Sequence, residues 1–369
     1  MKILFLTGHS FDPSGRKASI HFLASGLKEI GNDVYVLTVG VDILRLIFSR
    51  SRNKGVLRYL KWRDDPDGLM KRVNIGIIHQ PAREKGVFSK ILRLMASGRL
   101  PKYVIKSAGT FDVIIIDSGL AVNYFGFIRE KYPEAYIMYN AADCLASVGY
   151  SGDIINKEKD VLLNADSVRT PSKLLANKFP IGSNYFIIPH GVDKDILLSE
   201  LDSPFLKDSV NGVLVGNTLL DWDALFAIAI AAERDIIHVF GTPLRAGIPE
   251  NIILYGEVGF SKLAPYIQHA SYALAPYKLS AENAYIAESS LKVRQYRTCG
   301  LPIVCPSTLS IEGDDVFKYD PANLSSVDKA LKMAVQRGRK PYYGELKSWD
   351  EVAREVGEII ASGTRNGAS

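Results

Sequence analysis

Residues 285–306, YIAESSLKVRQYRTCGLPIVCP, gather the side chains best suited to hold an anion. The segment reads as a loop, then a helix N-terminus, then a break into a buried strand. Ser289 and Ser290 can cap a helix that starts near Leu291, and Lys292 falls in its first turn. Gly300 is the expected stop just past the helix, and Pro302 prevents continuation. A helix N-terminus with unsatisfied N–H groups beside a cation is a ready site for a phosphate or diphosphate.

Acid–base chemistry has one main candidate. Asp143, in YNAADCLAS (139–147), follows an apolar run and so lies at the carboxyl end of an expected strand. A carboxylate there can take a proton from an attacking hydroxyl. The alternative is that it caps the next helix. The first loop, GHSFDPSGRKASIHFL (8–23), follows an expected strand and opens a helix. Arg16 or Lys17 can meet a charge there. His21, one turn inside the helix, is either a ligand contact or a satisfied interior histidine. The loop lacks the GxGxxG dinucleotide fingerprint, which disfavours a nicotinamide cofactor.

Three further positions sit at expected turns. His190 in HGVD (190–193) either touches a ligand or satisfies a local carbonyl. Glu257 can accept hydrogen bonds from a base or ribose, or be a solvated loop carboxylate. Tyr277 can stack on a base or close its pocket, or be a rim tyrosine. The letters DWD at 221–223 look like a metal-binding DxD, but they open an amphipathic helix, so Asp221 or Asp223 reads as a cap. The six histidines show no HxxxH or HExxH spacing, so no metal is expected.

Positioning these residues requires a framework, and the pattern supplies one. Short apolar runs alternate with helical-period segments. One series is 2–6, 33–38, 73–78, 112–116, 135–139 and 184–188; a second is 212–215, 236–240, 252–255, 271–275 and 302–305. Near-continuous apolar runs suit parallel strands buried on both faces. Their alternation with helices implies α/β, doubly wound sheets. Ligands of such sheets sit beyond the carboxyl ends of the strands, which is where Asp143, Glu257 and Tyr277 fall. The polar stretch 193–210 reads as a linker between two Rossmann-like domains.

The 369-residue length suits two domains. Three cysteines, Cys144, Cys299 and Cys305, without CxxC spacing argue for a reducing compartment. No run of about 18 apolar residues predicts a membrane span. Net charge is only +5, but between Arg45 and Lys106 there are 16 Lys/Arg against 4 acids. Such a basic, apolar-interleaved stretch suits an anionic membrane surface; the plainer reading is a solvated helix face. A nucleic-acid partner would rest on this stretch alone and is not expected.

The segments RKASIHFLASGL (16–27), DSGLAV (117–122), YNAADCLAS, HGVD, YGE with PYIQHASYALAPY, and YIAESSLKVRQYRTCGLPIVCP occur in an order that resembles the xanthan-type glucuronosyltransferases, glycosyltransferase family 70. The resemblance implies a GT-B fold, two Rossmann-like domains facing a central cleft. It implies an N-terminal acceptor domain over 1–200 with a membrane-facing stretch at 45–106. A nucleotide-sugar domain would cover 201–345, and a helix in 346–369 would cross back to the first domain. The implied reaction is inverting and metal-independent. It moves glucuronate from UDP-glucuronate to mannose on a polyprenyl-diphosphate-linked oligosaccharide, on the cytoplasmic face of the membrane, in exopolysaccharide synthesis. The resemblance makes Asp143 the base and places Glu257, Tyr277, Ser290, Leu291, Lys292 and Gln295 around UDP. Arg16 and His21 are acceptor-side candidates. Segment 41–106 and the loop after Gly216 match poorly. Two rival readings stay open: a nucleotide-sugar epimerase on the same fold, and a membrane-docked scaffold with a degenerate site.

Overall fold

The apolar run VIIID is buried on every residue and KILFLT on all but its first, because each lies mid-sheet with neighbours on both sides. The computed structural model describes residues 1–9, 18–42, 56–76, 91 and 98–366. The chain divides into two compact units. Of the described residues, those up to Pro189 and from Trp349 onward form the first, and His190–Ser348 form the second.

The first unit runs β1 (Lys2–Thr7), α1 (Ser19–Glu29), β2 (Asp33–Asp42), β3 (Arg63–Asp64), β4 (Met70–Gly76), α2 (Lys102–Lys106) and β5 (Val113–Asp117). It continues with α3 (Phe125–Lys131), β6 (Tyr136–Asn140), α4 (Gly152–Asn164), β7 (Ser167–Thr170), α5 (Lys173–Ala176) and β8 (Tyr185–Ile187). Its eight strands lie in the order β3-β4-β2-β1-β5-β6-β7-β8, parallel except for the short β3. The chain winds outward from β1 through β2 and β4, then returns to start again at β5. The switch point of the sheet is therefore between β1 and β5.

The second unit runs α6 (Lys194–Leu197), β9 (Asn211–Val215), α7 (Trp222–Ala231), β10 (Ile236–Phe240), β11 (Ile252–Gly256), α8 (Phe260–His269) and β12 (Tyr272–Leu274). Then come α9 (Ile286–Ser289), α10 (Leu291–Thr298), β13 (Ile303–Pro306), β14 (Val316–Tyr319) and α11 (Val327–Arg337). Its six parallel strands lie in the order β11-β10-β9-β12-β13-β14, so this sheet switches between β9 and β12.

The last helix, α12 (Trp349–Asn366), returns to the first unit. Trp349 stacks on Phe22 of α1 with ring centres 5.4 Å apart. A side chain at Gly26 would bring its Cβ to 2.8 Å from that of Ala353, so only glycine lets the two helices approach this closely.

Three expectations need correction. The units divide after Pro189, not at residue 200. Residues 190–201 are tied into the second unit: Gln268 donates to the Leu197 carbonyl at 3.3 Å, and the His269 ring meets that of Leu201 at 2.6 Å. Strand β7 was not expected because SVRT reads as polar, yet all four residues are buried. Strand β14 was likewise missed. Most of the basic stretch 45–106 lies outside the described residues. Within the described part, Asp65 is ringed by Arg58, Tyr59 and Lys71, so part of the local positive charge is neutralised internally.

Candidate active site

In the second unit, α10 is fixed at the switch point by Tyr296. Its fully buried hydroxyl accepts from the Val215 amide at 3.0 Å and donates to the Leu274 carbonyl at 3.4 Å. It therefore bridges the carboxyl ends of β9 and β12. Ser290 caps α10, its Oγ accepting from the Val293 amide at 3.4 Å. Ser289 instead bonds back to the Tyr285 carbonyl, because Ile286–Ser289 is a helical turn rather than the expected loop. Gly300 ends the segment with φ +68°. A Cβ there would meet the Lys340 backbone, so the stop is conformationally and sterically required.

Tyr277 and Lys292 meet at this cap. The Tyr277 hydroxyl and Ser290 Oγ are 2.7 Å apart, and the Lys292 ammonium sits 4.2 Å above the Tyr277 ring centre. Tyr277 is 5 % exposed, with its ring face covered by Lys292. Its hydroxyl contact with Ser290 and its ring contact with Lys292 hold these three side chains together. A cation on an aromatic face beside a capped helix N-terminus is an arrangement that can attract an anion. Leu291 opens the helix and is half-buried; Gln295 is buried one turn further on. Glu257 is exposed directly after β11. The DWD acid Asp221 is a cap, accepting from the amides of Asp223 and Ala224 at 3.0 and 3.1 Å.

Sequence reasoning missed the bare backbone beside Glu257. Gly216 and Gly241 follow β9 and β10, both with positive φ, and a Cβ at Gly241 would lie 3.2 Å from the Gly216 Cα. The space over Gly216 is open, so a ligand can approach the main chain there.

In the first unit, Asp143 lies in the loop after β6 and is half-buried. The next helix, α4, starts at Gly152 with Ser151 at its N-cap position, so Asp143 is not that helix's cap. Its charge helps raise the pKa of Glu158 on α4. Burial is the larger cause, and together they push Glu158 up to about 7, against a hydrogen bond from the buried Tyr139 hydroxyl at 2.6 Å. Glu158 was not foreseen; at the sequence level it is one more acid on an amphipathic helix.

This shift has a consequence for stability. The folded chain binds a proton that the unfolded chain releases above pH 4.5, so stability falls as pH rises from 4.5 to about 7. Glu158→Gln should raise the thermal midpoint at pH 8, by about 1–3 kcal/mol of stability, and leave it unchanged at pH 4. Equal shifts at both pH values in a thermal melt would show that Glu158 is not held neutral.

A second buried network spans the switch point of the first sheet. Thr7 Oγ1 donates to Asp117 Oδ2 at 2.8 Å, and Asn140 Nδ2 to Asp117 Oδ1 at 2.8 Å. Arg169 Nη1 donates to Asn140 Oδ1 at 2.9 Å and Nη2 to the Pro189 carbonyl at 3.1 Å. Burial drives the Asp117 pKa up, opposed chiefly by the charge of His9, whose Nε2 lies 3.9 Å from Oδ2. His21 is 6 % exposed, and its Nδ1 accepts from the Ala18 amide at 2.8 Å, closing the start of α1. His190 is also buried. Arg16 and Lys17 lie outside the described residues.

Two switch-point crevices on twin parallel sheets define the GT-B fold, and solved structures agree. Sucrose-phosphate synthase of Thermosynechococcus elongatus matches with a TM-score of 0.69 at 14 % identity, over 100 % of both chains. WaaG, a glycosyltransferase involved in lipopolysaccharide biosynthesis, matches with a TM-score of 0.57 at 14 % identity, over 99 % of this chain and 98 % of that one. Residues 5–171 match the family described as glucuronosyltransferase GumK, N-terminal domain. A relative from Xanthomonas campestris pv. campestris, UDP-glucuronate:glycolipid 2-beta-glucuronosyltransferase, is 29 % identical over 258 residues, 69 % of this chain and 64 % of the relative. The match therefore spans just under two thirds of that relative's length.

Proposed function

We propose that the protein is a UDP-sugar glycosyltransferase that moves glucuronate from UDP-glucuronate to a glycolipid acceptor. The observation that carries this reading is the Tyr277–Ser290–Lys292 cluster at the N-terminus of α10, on a chain whose residues 5–171 match the GumK N-terminal domain family. The diphosphate would lie against Lys292 and the first-turn amides of α10. There they stabilise the negative charge that builds as UDP leaves. Lys292 and the helix supply the cationic role, so no metal is required. Asp143 would accept the proton of the attacking hydroxyl as that oxygen bonds to the anomeric carbon and the C–O bond to UDP breaks. A single in-line displacement inverts the centre.

The acceptor would be an oligosaccharide on a polyprenyl diphosphate, used in exopolysaccharide synthesis. No helix among the described residues is long and apolar enough to cross a membrane. Access to such a lipid would then be peripheral, from the cytoplasmic side, through the basic stretch 45–106 on an anionic leaflet.

A thermal-shift panel with UDP, GDP, ADP, dTDP and UDP-glucuronate tests the donor reading. A ligand at about 100 times its Kd adds about 2.7 kcal/mol. Stabilisation confined to the uridine compounds is expected. A larger shift with another nucleotide would overturn the donor, and no shift with any would favour a degenerate scaffold.

A further inference from the structure

We propose that His9, backed by the buried Asp117, binds the acceptor sugar by taking a hydrogen bond from one of its hydroxyls. The assignment rests on the transferase reading above and adds a residue to its acceptor side.

The location is the first argument. Thr7 ends β1 and Asp117 ends β5, the two strands that flank the switch point. His9 follows two residues after Thr7, at the carboxyl edge where ligands of such sheets bind. Asp143 follows the neighbouring β6 on the same edge.

The second argument is the contrast in exposure. Thr7, Asp117, Asn140 and Arg169 are each 2 % exposed or less, and their hydrogen bonds connect them. The His9 side chain is 55 % exposed. A buried carboxylate and guanidinium held apart by an amide are a poor source of stability compared with apolar side chains of similar volume. What they supply is a carboxyl group fixed directly behind an imidazole that faces solvent.

The third argument is that His9 is held in place. Its amide donates to Thr7 Oγ1 at 3.0 Å, and Thr38 Oγ1 donates to its carbonyl at 3.3 Å. The His21 ring of α1 meets it edge-on, with centroids 6.3 Å apart. An exposed polar side chain on a rigid, buried platform is preorganised for a ligand. With one ring nitrogen turned to Asp117, the other can accept from a hydroxyl. The 3.9 Å separation leaves room for the ring to tighten onto Asp117 when the sugar binds.

The test is steady-state kinetics with UDP-glucuronate and a short-chain prenyl-diphosphate oligosaccharide ending in mannose, alongside calorimetric UDP titration. His9→Ala should lower kcat/KM for the acceptor about 10- to 100-fold through a raised KM. UDP affinity and the donor KM should not change. His9→Gln keeps an acceptor atom and should restore part of the loss. Asp117→Asn should weaken the same parameter if it folds; His9→Ala, at an exposed position, keeps the test intact if it does not. Wild-type acceptor kinetics in His9→Ala, or an equal loss of UDP affinity, would overturn the assignment while leaving the transferase reading in place. A wild-type chain that neither binds UDP nor transfers would overturn both.

Discussion

Asp143→Asn is expected to lower turnover about 10²–10⁴-fold while UDP binds as before. The amide keeps the size of the carboxylate and one acceptor oxygen, but it cannot take a proton. The acceptor hydroxyl then has to lose its proton to water as the new bond forms. UDP affinity is expected to hold because the proposed diphosphate site, at Tyr277, Ser290 and Lys292, belongs to the other unit. The same substitution removes a negative charge that helps raise Glu158, so Glu158 should ionise more readily. That gives a second signature, a weaker fall in stability between pH 4.5 and 7 than in the wild type. Turnover near wild type in the transfer assay would remove Asp143 from the base role.

Lys292→Ala should weaken UDP binding about 10- to 100-fold and slow transfer as well. A charge-assisted contact to the diphosphate is lost, and the Tyr277 ring loses the cation on its face. Lys292→Arg should recover only part of the affinity, since a planar fork does not replace a compact ammonium in this geometry. Tyr277→Phe should have a smaller effect, because it keeps the ring under Lys292 and loses the hydroxyl contact with Ser290. Calorimetric titration with UDP separates these cases. Unchanged affinity in Lys292→Ala would show that the diphosphate lies elsewhere.

What could be read from the sequence follows physical range. The cap at Ser290 and the stop at Gly300 are local, set within a few residues, and they stand where the pattern placed them. Apolar runs such as 112–116 become central strands because burial on both faces leaves no room for polar residues. Strand β7 escaped because Arg169 is buried through partners on β6 and at Pro189, which the string SVRT does not reveal. Tyr277 was read as a ring that stacks on a base, closes its pocket or lies at the rim. Its contacts with Lys292 and Ser290 depend on a helix that starts 14 residues later. His9 passed unnoticed in the first loop, since its meaning comes from Asp117, 108 residues away. The α12 contact with α1 likewise turns on Gly26 and Ala353, which look like any small helix residues.

The most direct test of the account is the product formed from UDP-[¹³C]glucuronate and the short-chain prenyl-diphosphate oligosaccharide, examined by NMR at the new anomeric centre. Transfer with inversion, giving a β-linked glucuronate from the α-linked donor, is the expected result. Transfer with retention would contradict the single displacement at Asp143, and release of free UDP without a glycosidic product would contradict the transferase itself.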